Sequence, residues 1–192
     1  MAKGPLIVLS GPSGSGKSTV IDRLLERTRL PLRLAVSATT RPPRPGEVNG
    51  IDYHFLDAQR FEELVKAGAF LEHADVFGNC YGTLQSEVDP YRGQGLGVLL
   101  EIDVQGAESI RQRCPDAVSV FLRASSIEEY EKRLRARGTE DEASLQRRLA
   151  GARCELAQES RYHYSVINDD IDQAVRDLES IIQRQFEGSQ DA

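Results

Sequence analysis

The sequence predicts an α/β fold: a mostly parallel sheet core flanked by helices. Three observations point to it. Pro5 to Ser10 (PLIVLS) is a continuous apolar run, the pattern of a strand buried on both faces. A Gly-rich turn follows it and opens directly into a helical stripe, with Val20, Ile21, Leu24 and Leu25 on one face of Lys17 to Arg29. Further short apolar runs then recur with helical patterns between most of them, and such alternation builds a layered parallel sheet.

The later strand candidates are Leu34 to Ser37, Gly97 to Asp103 (GVLLEID), Ala117 to Leu122 and Tyr164 to Asn168. Two segments interrupt the rhythm. Residues 37–83 hold a Pro-rich turn, short alternating strands such as Tyr53 to Leu56, and a helix near Ala58 to Ala67. They read as a small mixed α/β lobe inserted in the core. Residues 126–155 read as two consecutive helices forming a lid. Ser126 with Glu129, and Thr139 with Glu142, each fit a capping box and mark the two starts, and Gly138 fits the end of the first helix. The core is left with residues 1–36, 84–125 and 156–192, all within one domain.

Composition narrows the function classes. The chain has 192 residues, enough to bury a core without covalent staples, and a formal net charge of −6. An acidic balance argues against nucleic acid as a partner. Cationic residues are skewed: four are Lys and twenty are Arg. Guanidinium forks suit bidentate contacts to phosphate and carboxylate. Cys80, Cys114 and Cys154 form no CxxC pair, so they suggest neither a disulfide framework nor a zinc site. No apolar run is long enough to span a bilayer or to form a signal-peptide core, and the expected location is the cytoplasm.

Gly11-Pro12-Ser13-Gly14-Ser15-Gly16-Lys17-Ser18 fits G-x-x-x-x-G-K-[ST] in full, and it lies between a strand and a helix, the context that confirms the motif. Glycines let backbone N–H groups turn inward around phosphate oxygens, and the helix N-terminus adds a favourable dipole. Lys17 is expected at the β/γ-phosphates and the Ser18 hydroxyl on Mg²⁺. The fold is therefore a P-loop NTPase type, binding a nucleoside triphosphate.

A second basic element is Ser37 to Glu47 (SATTRPPRPGE). Three prolines favour an extended polyproline conformation with a three-residue repeat, so Arg41 and Arg44 project from one edge, about 9 Å apart at ~3.1 Å per residue. They form either a second phosphate site, a solvated pair, or part of a PxxP docking ligand over Pro42 to Pro45.

With these motifs in place the chain resembles the guanylate kinases, which phosphorylate GMP with ATP. GPSGSGKST, SATTRPPRPGE with GIDYHF, FGNCYGT, LLEIDVQGA, RLRARGTEDE and VINDD occur in the order and spacing of that family, from about Leu6 to Phe186. The resemblance implies the reaction ATP + GMP = ADP + GDP, with dGMP as a further acceptor, in purine nucleotide metabolism. It implies that the inserted lobe holds GMP through Ser37, Arg41, Arg44, Tyr53, Glu72, Tyr81, Thr83 and Asp103. Arg41, Arg44, Tyr53 and Tyr81 would hold its phosphate; Glu72, with Ser37 and Thr83, would read guanine, whose N1–H and amino group need an acceptor. Residue pattern alone reads Glu72 as a surface charge and the two tyrosines as packing groups. Asp103 is expected at the end of its strand, with Glu101 on the same side.

ATP would be held by Gly11, Pro12, Ser13, Gly14, Ser15, Gly16, Lys17, Ser18 and Thr19, with Arg133, Arg137 and Arg148 of the lid swinging onto its phosphates. Asn168 lies near adenine or caps the helix before Ile171. Lys17, Arg41, Arg137 and Arg148 are the expected catalytic set. No general base is expected, because the acceptor phosphate, with a second pKa of about 6, is already mostly a dianion at neutral pH. His54, His73 and His163 are expected to pack or face solvent. Cys80, His73 and the Leu122 to Ser126 approach to the lid depart from the family pattern. The expected partners are the small-molecule nucleotides alone, with the protein a monomer or weak homo-oligomer.

Overall fold

A computed structural model describes residues 3–76, 78–136 and 142–188 of the chain. The first strand, β1 (Leu6–Ser10), has every residue buried, as its unbroken apolar run requires. It leads through the Gly-rich loop into α1 (Lys17–Arg27). β2 (Leu32–Leu34) follows, then a second group of elements: β3 (Ala38–Thr39), β4 (His54–Phe55), α2 (Ala58–Lys66), β5 (Phe70–Val76) and β6 (Asn79–Leu84). A short 3₁₀ turn at Gln85–Glu87 and α3 (Asp89–Gly93) return the chain to β7 (Gly97–Glu101). The remainder is α4 (Val104–Arg113), β8 (Val118–Arg123), α5 (Ile127–Ala136), α6 (Glu142–Leu156), β9 (Tyr164–Ile167) and α7 (Ile171–Gly188).

Two sheets result. The larger runs β2-β7-β1-β8-β9 with every pairing parallel. Alternation along β1 divides its core in two. Ile7 and Leu9 face Val20, Ile21 and Leu24 of α1 and Val175, Leu178 and Ile182 of α7. Leu6 and Val8 face Ile110 of α4, with Val98, Leu100 and Val88. Each such fully buried aliphatic side chain contributes about 1.5–3 kcal/mol. The smaller sheet runs β4-β3-β6-β5 and mixes parallel and antiparallel pairs. It has its own apolar cluster around Ala38, Phe61 and Phe70. A third cluster, Ala124, Tyr130, Leu134, Leu145 and Leu149, joins α5 to α6.

The structure corrects several expected boundaries. Leu34 to Ser37 is not one strand. β2 ends at Leu34, and Ala35 to Ser37 is the crossing to the smaller sheet, with Ala35 N–H still bonded to Leu99 of the larger one. β7 ends at Glu101, so Asp103 lies beyond the strand, where its carboxylate accepts from Gly106 N–H at 2.8 Å and caps α4. Ser126 caps α5 as expected, accepting from Glu129 N–H at 3.4 Å. Gly138 and Thr139 lie outside the described residues.

Candidate active site

The loop after β1 is shaped by close approach. Gly11 has φ 145°, and a Cβ there would sit 2.1 Å from the Leu122 carbonyl oxygen of β8. Gly16 has φ 89°, and its Cβ would meet the Asn168 amide nitrogen at 2.5 Å. Both positions therefore demand glycine. Lys17 reaches back over the loop and donates to the Gly11 carbonyl at 2.6 Å. Ser18 donates to Glu101 at 2.8 Å, so a hydroxyl and a carboxylate stand together at the C-terminal end of β7. Burial raises the Glu101 carboxyl above its ordinary range, against the opposing pull of Lys17 and the Ser18 bond. Thr19 is exposed in the first turn of α1.

Two later parts of the chain brace this loop. Asn168 is buried and donates to the Ser15 carbonyl at 2.7 Å. Arg133 of α5 donates to the carbonyls of Ser15, at 3.4 Å, and of Asn168. Arg148 of α6 donates to the Ser13 hydroxyl at 2.5 Å. Helices α5 and α6 thus carry guanidinium groups onto the loop, and Leu134 lies 3.5 Å from where a Cβ on Gly14 would be.

The smaller sheet carries the second cationic group. Arg41 donates to both carboxylate oxygens of Glu47, at 2.9 and 2.8 Å, and Glu47 also accepts from Arg44 N–H at 2.6 Å. These bonds hold the Glu47 carboxyl below its ordinary range and keep Arg41 firmly charged. The Arg41 guanidinium carbon lies 5.4 Å from the Tyr53 ring centre and 5.7 Å from that of Phe55. Tyr53 packs edge-on to Tyr81 with centroids 6.2 Å apart. Burial raises the Tyr53 hydroxyl, with the charge of Glu101 adding to the rise and that of Arg41 opposing it.

On β5, Glu72 is 3% exposed. It accepts from the Thr83 hydroxyl of β6 at 2.7 Å. Burial, with the nearby charge of Asp103, pushes its carboxyl up to about 7 despite the opposing Thr83 bond. Its other oxygen lies over α4, 2.7 Å from where a Cβ on Gly106 would be. A buried carboxyl shifted in this way marks a candidate binding site.

The guanylate kinase family model matches residues 3–185. The chain belongs to the guanylate kinase family. It is 49% identical over 184 residues to the guanylate kinase of Rubrobacter xylanophilus, covering 96% of each chain. It is likewise 49% identical over 183 residues to that of Fusobacterium nucleatum, covering 95% of this chain and 98% of the relative. Among solved structures, guanylate kinase from Anaplasma phagocytophilum superposes with a TM-score of 0.80 at 34% identity, over 96% of this chain and 87% of the other. Family membership makes the protein an enzyme, a nucleoside monophosphate kinase with an α/β P-loop fold.

Within this guanylate kinase fold, three readings made from residue pattern change. Glu72 is not a surface charge but a buried one. Asn168 does not cap the last helix; Asp170 does, accepting from Gln173 N–H at 2.9 Å, while Asn168 points to the loop. The Arg-Pro segment is not a continuous polyproline rod. Glu47 N–H bonds back to the Arg44 carbonyl with Gly46 at φ 91°, closing a turn that folds Arg41 onto Glu47. Arg44 is exposed, and Ser37 is half-buried at the start of the smaller sheet, its carbonyl accepting from His54 N–H at 2.9 Å. Arg137 lies outside the described residues. Glu47 and Gly106 escaped the sequence reading; a carboxylate closing an Arg-rich turn, and a glycine three residues after a capping Asp, were the signals available.

Proposed function

We propose that, in the phosphorylation of GMP to GDP by ATP that family membership gives this enzyme, the loop at Lys17 holds ATP and the smaller sheet holds GMP. The observation that carries the assignment of acceptor is Glu72, buried against Thr83 in the sheet that also presents Arg41. A carboxylate there accepts from guanine N1–H and its amino group, whereas adenine lacks that donor pair. Ser37 and Thr83 add hydroxyls to the same wall, and Asp103 fixes the α4 end that backs it.

The chemistry needs little from the protein beyond charge and alignment. The acceptor phosphate is a dianion near neutral pH and requires no general base. Arg41, Arg44, Tyr53 and Tyr81 neutralise and orient it. Lys17 and the loop from Gly11 to Thr19, through its free backbone N–H groups, hold the triphosphate, while Arg133, Arg137 and Arg148 bring cationic charge from the lid. Closure keeps water from the γ-phosphoryl group. The Ser18 hydroxyl beside Glu101 is a hard oxygen pair that fits Mg²⁺. When bound with ATP, that ion neutralises phosphate charge.

No helix among the described residues is long and apolar enough to cross a membrane. We place the enzyme in the cytoplasm as a monomer or weak homo-oligomer whose partners are nucleotides; the net charge of −6 argues against nucleic acid. The test is ADP release measured with GMP, dGMP, AMP, UMP and CMP as acceptors. GMP is expected to be preferred, with dGMP next; equal use of AMP would overturn the guanine reading.

A further inference from the structure

The chain passes between its two sheets twice, and one carboxylate grips both passages. The outgoing passage is Ala35 to Ser37, the returning one Gln85 to Val88. Glu87 stands on the return. One of its oxygens accepts from Arg33 of β2, in the larger sheet, at 2.6 Å, and from Val36 N–H, in the outgoing passage, at 3.4 Å. Its other oxygen bonds His54 Nε2 of β4, in the smaller sheet, at 3.0 Å. Burial works against its charge, but His54, Val36 and Arg33 together hold the carboxyl below its ordinary range. A carboxylate only accepts, so His54 Nε2 carries the proton.

The larger-sheet end of this group is firm. The Arg33 guanidinium carbon lies 3.4 Å from the Tyr91 ring centre, and Arg33 Nη1 is buried without a hydrogen-bond partner. Glu87 is therefore the group that compensates a largely buried cation, and it cannot leave cheaply. The smaller-sheet end is a strand whose side chains alternate. Tyr53 and Phe55 face Arg41, the proposed phosphate-binding arginine. His54, between them, faces the opposite way, to Glu87.

We infer that the His54–Glu87 bond is a hinge pin that positions the smaller sheet for GMP. The sequence treated His54 as a packing or surface residue and gave Glu87 no role. The pin couples the strand carrying Tyr53 to the larger sheet, so it raises the fraction of molecules whose phosphate-binding face is already in place. Apparent affinity falls in proportion when that fraction falls. The inference rests on the reading that the smaller sheet holds GMP.

The test is steady-state kinetics with both nucleotides varied, on His54→Ala and His54→Gln. His54→Ala leaves the Arg33–Glu87 pair intact, so the buried cation keeps its partner. It is expected to raise KM for GMP roughly ten- to thirtyfold, the lower part of the range for one charge-assisted hydrogen bond, with kcat and KM for ATP within about twofold. His54→Gln places an amide donor near the former Nε2 and is expected to recover most of the lost affinity. Thermal unfolding of both variants accompanies the kinetics. An unchanged KM for GMP in His54→Ala overturns the inference. So does a parallel rise in both KM values with a large fall in Tm, which marks a merely structural residue. Failure of the GMP-site reading is separate: it shows as an unchanged KM for GMP in Arg44→Ala.

Discussion

Arg41 and Glu47, six residues apart, are joined by two hydrogen bonds at 2.9 and 2.8 Å, and the same carboxylate takes the Arg44 amide. One acidic side chain thus sets the direction of one arginine and the backbone of the other. Glu47→Ala is expected to raise KM for GMP about tenfold, because both arginines lose their prior arrangement, while KM for ATP stays near wild type. Initial rates at varied GMP and saturating ATP check this; tighter GMP binding would show that Glu47 competes with the phosphate rather than arranging its site.

Glu72 should make GMP binding depend on pH. Its carboxyl is held at about 7 in the unliganded protein, above the ordinary 4.5, and guanine needs the ionised form. KM for GMP is therefore expected to climb as pH falls from 8 to 6, approaching tenfold per unit below 7. Glu72→Gln has no proton to lose there, so its KM, poorer throughout, should follow only the ionisation of the GMP phosphate. The GMP/AMP specificity ratio of this variant is expected to drop by about 10² to 10³, with KM for ATP nearly unchanged.

The same shift has a stability consequence. A carboxyl raised on folding stabilises the fold below pH 4.5, where it is protonated in both states, and that contribution is lost as pH rises through about 7. Glu72→Gln removes the loss. The unliganded variant is expected to gain Tm relative to wild type at pH 8, by about 2 °C or more, and to gain less at pH 5. Scanning calorimetry at the two pH values checks the sign.

Lys17→Ala is expected to fold normally and to lose turnover by at least about a hundredfold, since its amine is the loop's own cation and is proposed to meet the transferred phosphoryl group. Near-wild-type turnover in a folded variant would displace ATP from this loop.

Asn168→Ala removes the amide that holds the Ser15 carbonyl at 2.7 Å. The loop loses a buried brace beside Gly16, and KM for ATP is expected to rise about five- to tenfold, with KM for GMP less affected. A KM for ATP within twofold of wild type would mean that Arg133 alone suffices to hold Ser15.

The nucleotide loop was legible in the chain because its requirements are local. Gly11, Gly16, Lys17 and Ser18 lie within one turn between a strand and a helix N-terminus, so the motif can be read from adjacent residues, although the close approaches that require Gly11 and Gly16 come from Leu122 and Asn168. The alternating core was legible for the same reason: buried parallel strands must read as apolar runs, and Leu6 to Ser10 and Gly97 to Leu100 do. The inserted lobe announced itself only as a break in that alternation, and the residues proposed to read guanine were reached through family resemblance.

Pairing decided the rest. Glu72 becomes a buried acid because β5 lies against β6 with Glu72 opposite Thr83, and because Gly106 lets α4 close over it. Asn168 finds Ser15 across 153 residues, since β9 joins the sheet beside β8. Glu87 meets Arg33 and His54 only where two sheets share their crossings. Spacing along a chain constrains neighbours within a turn of helix or a pair of strand residues. Which strand lies beside which, and hence which charge is desolvated and which partner compensates it, is a property of the assembled fold.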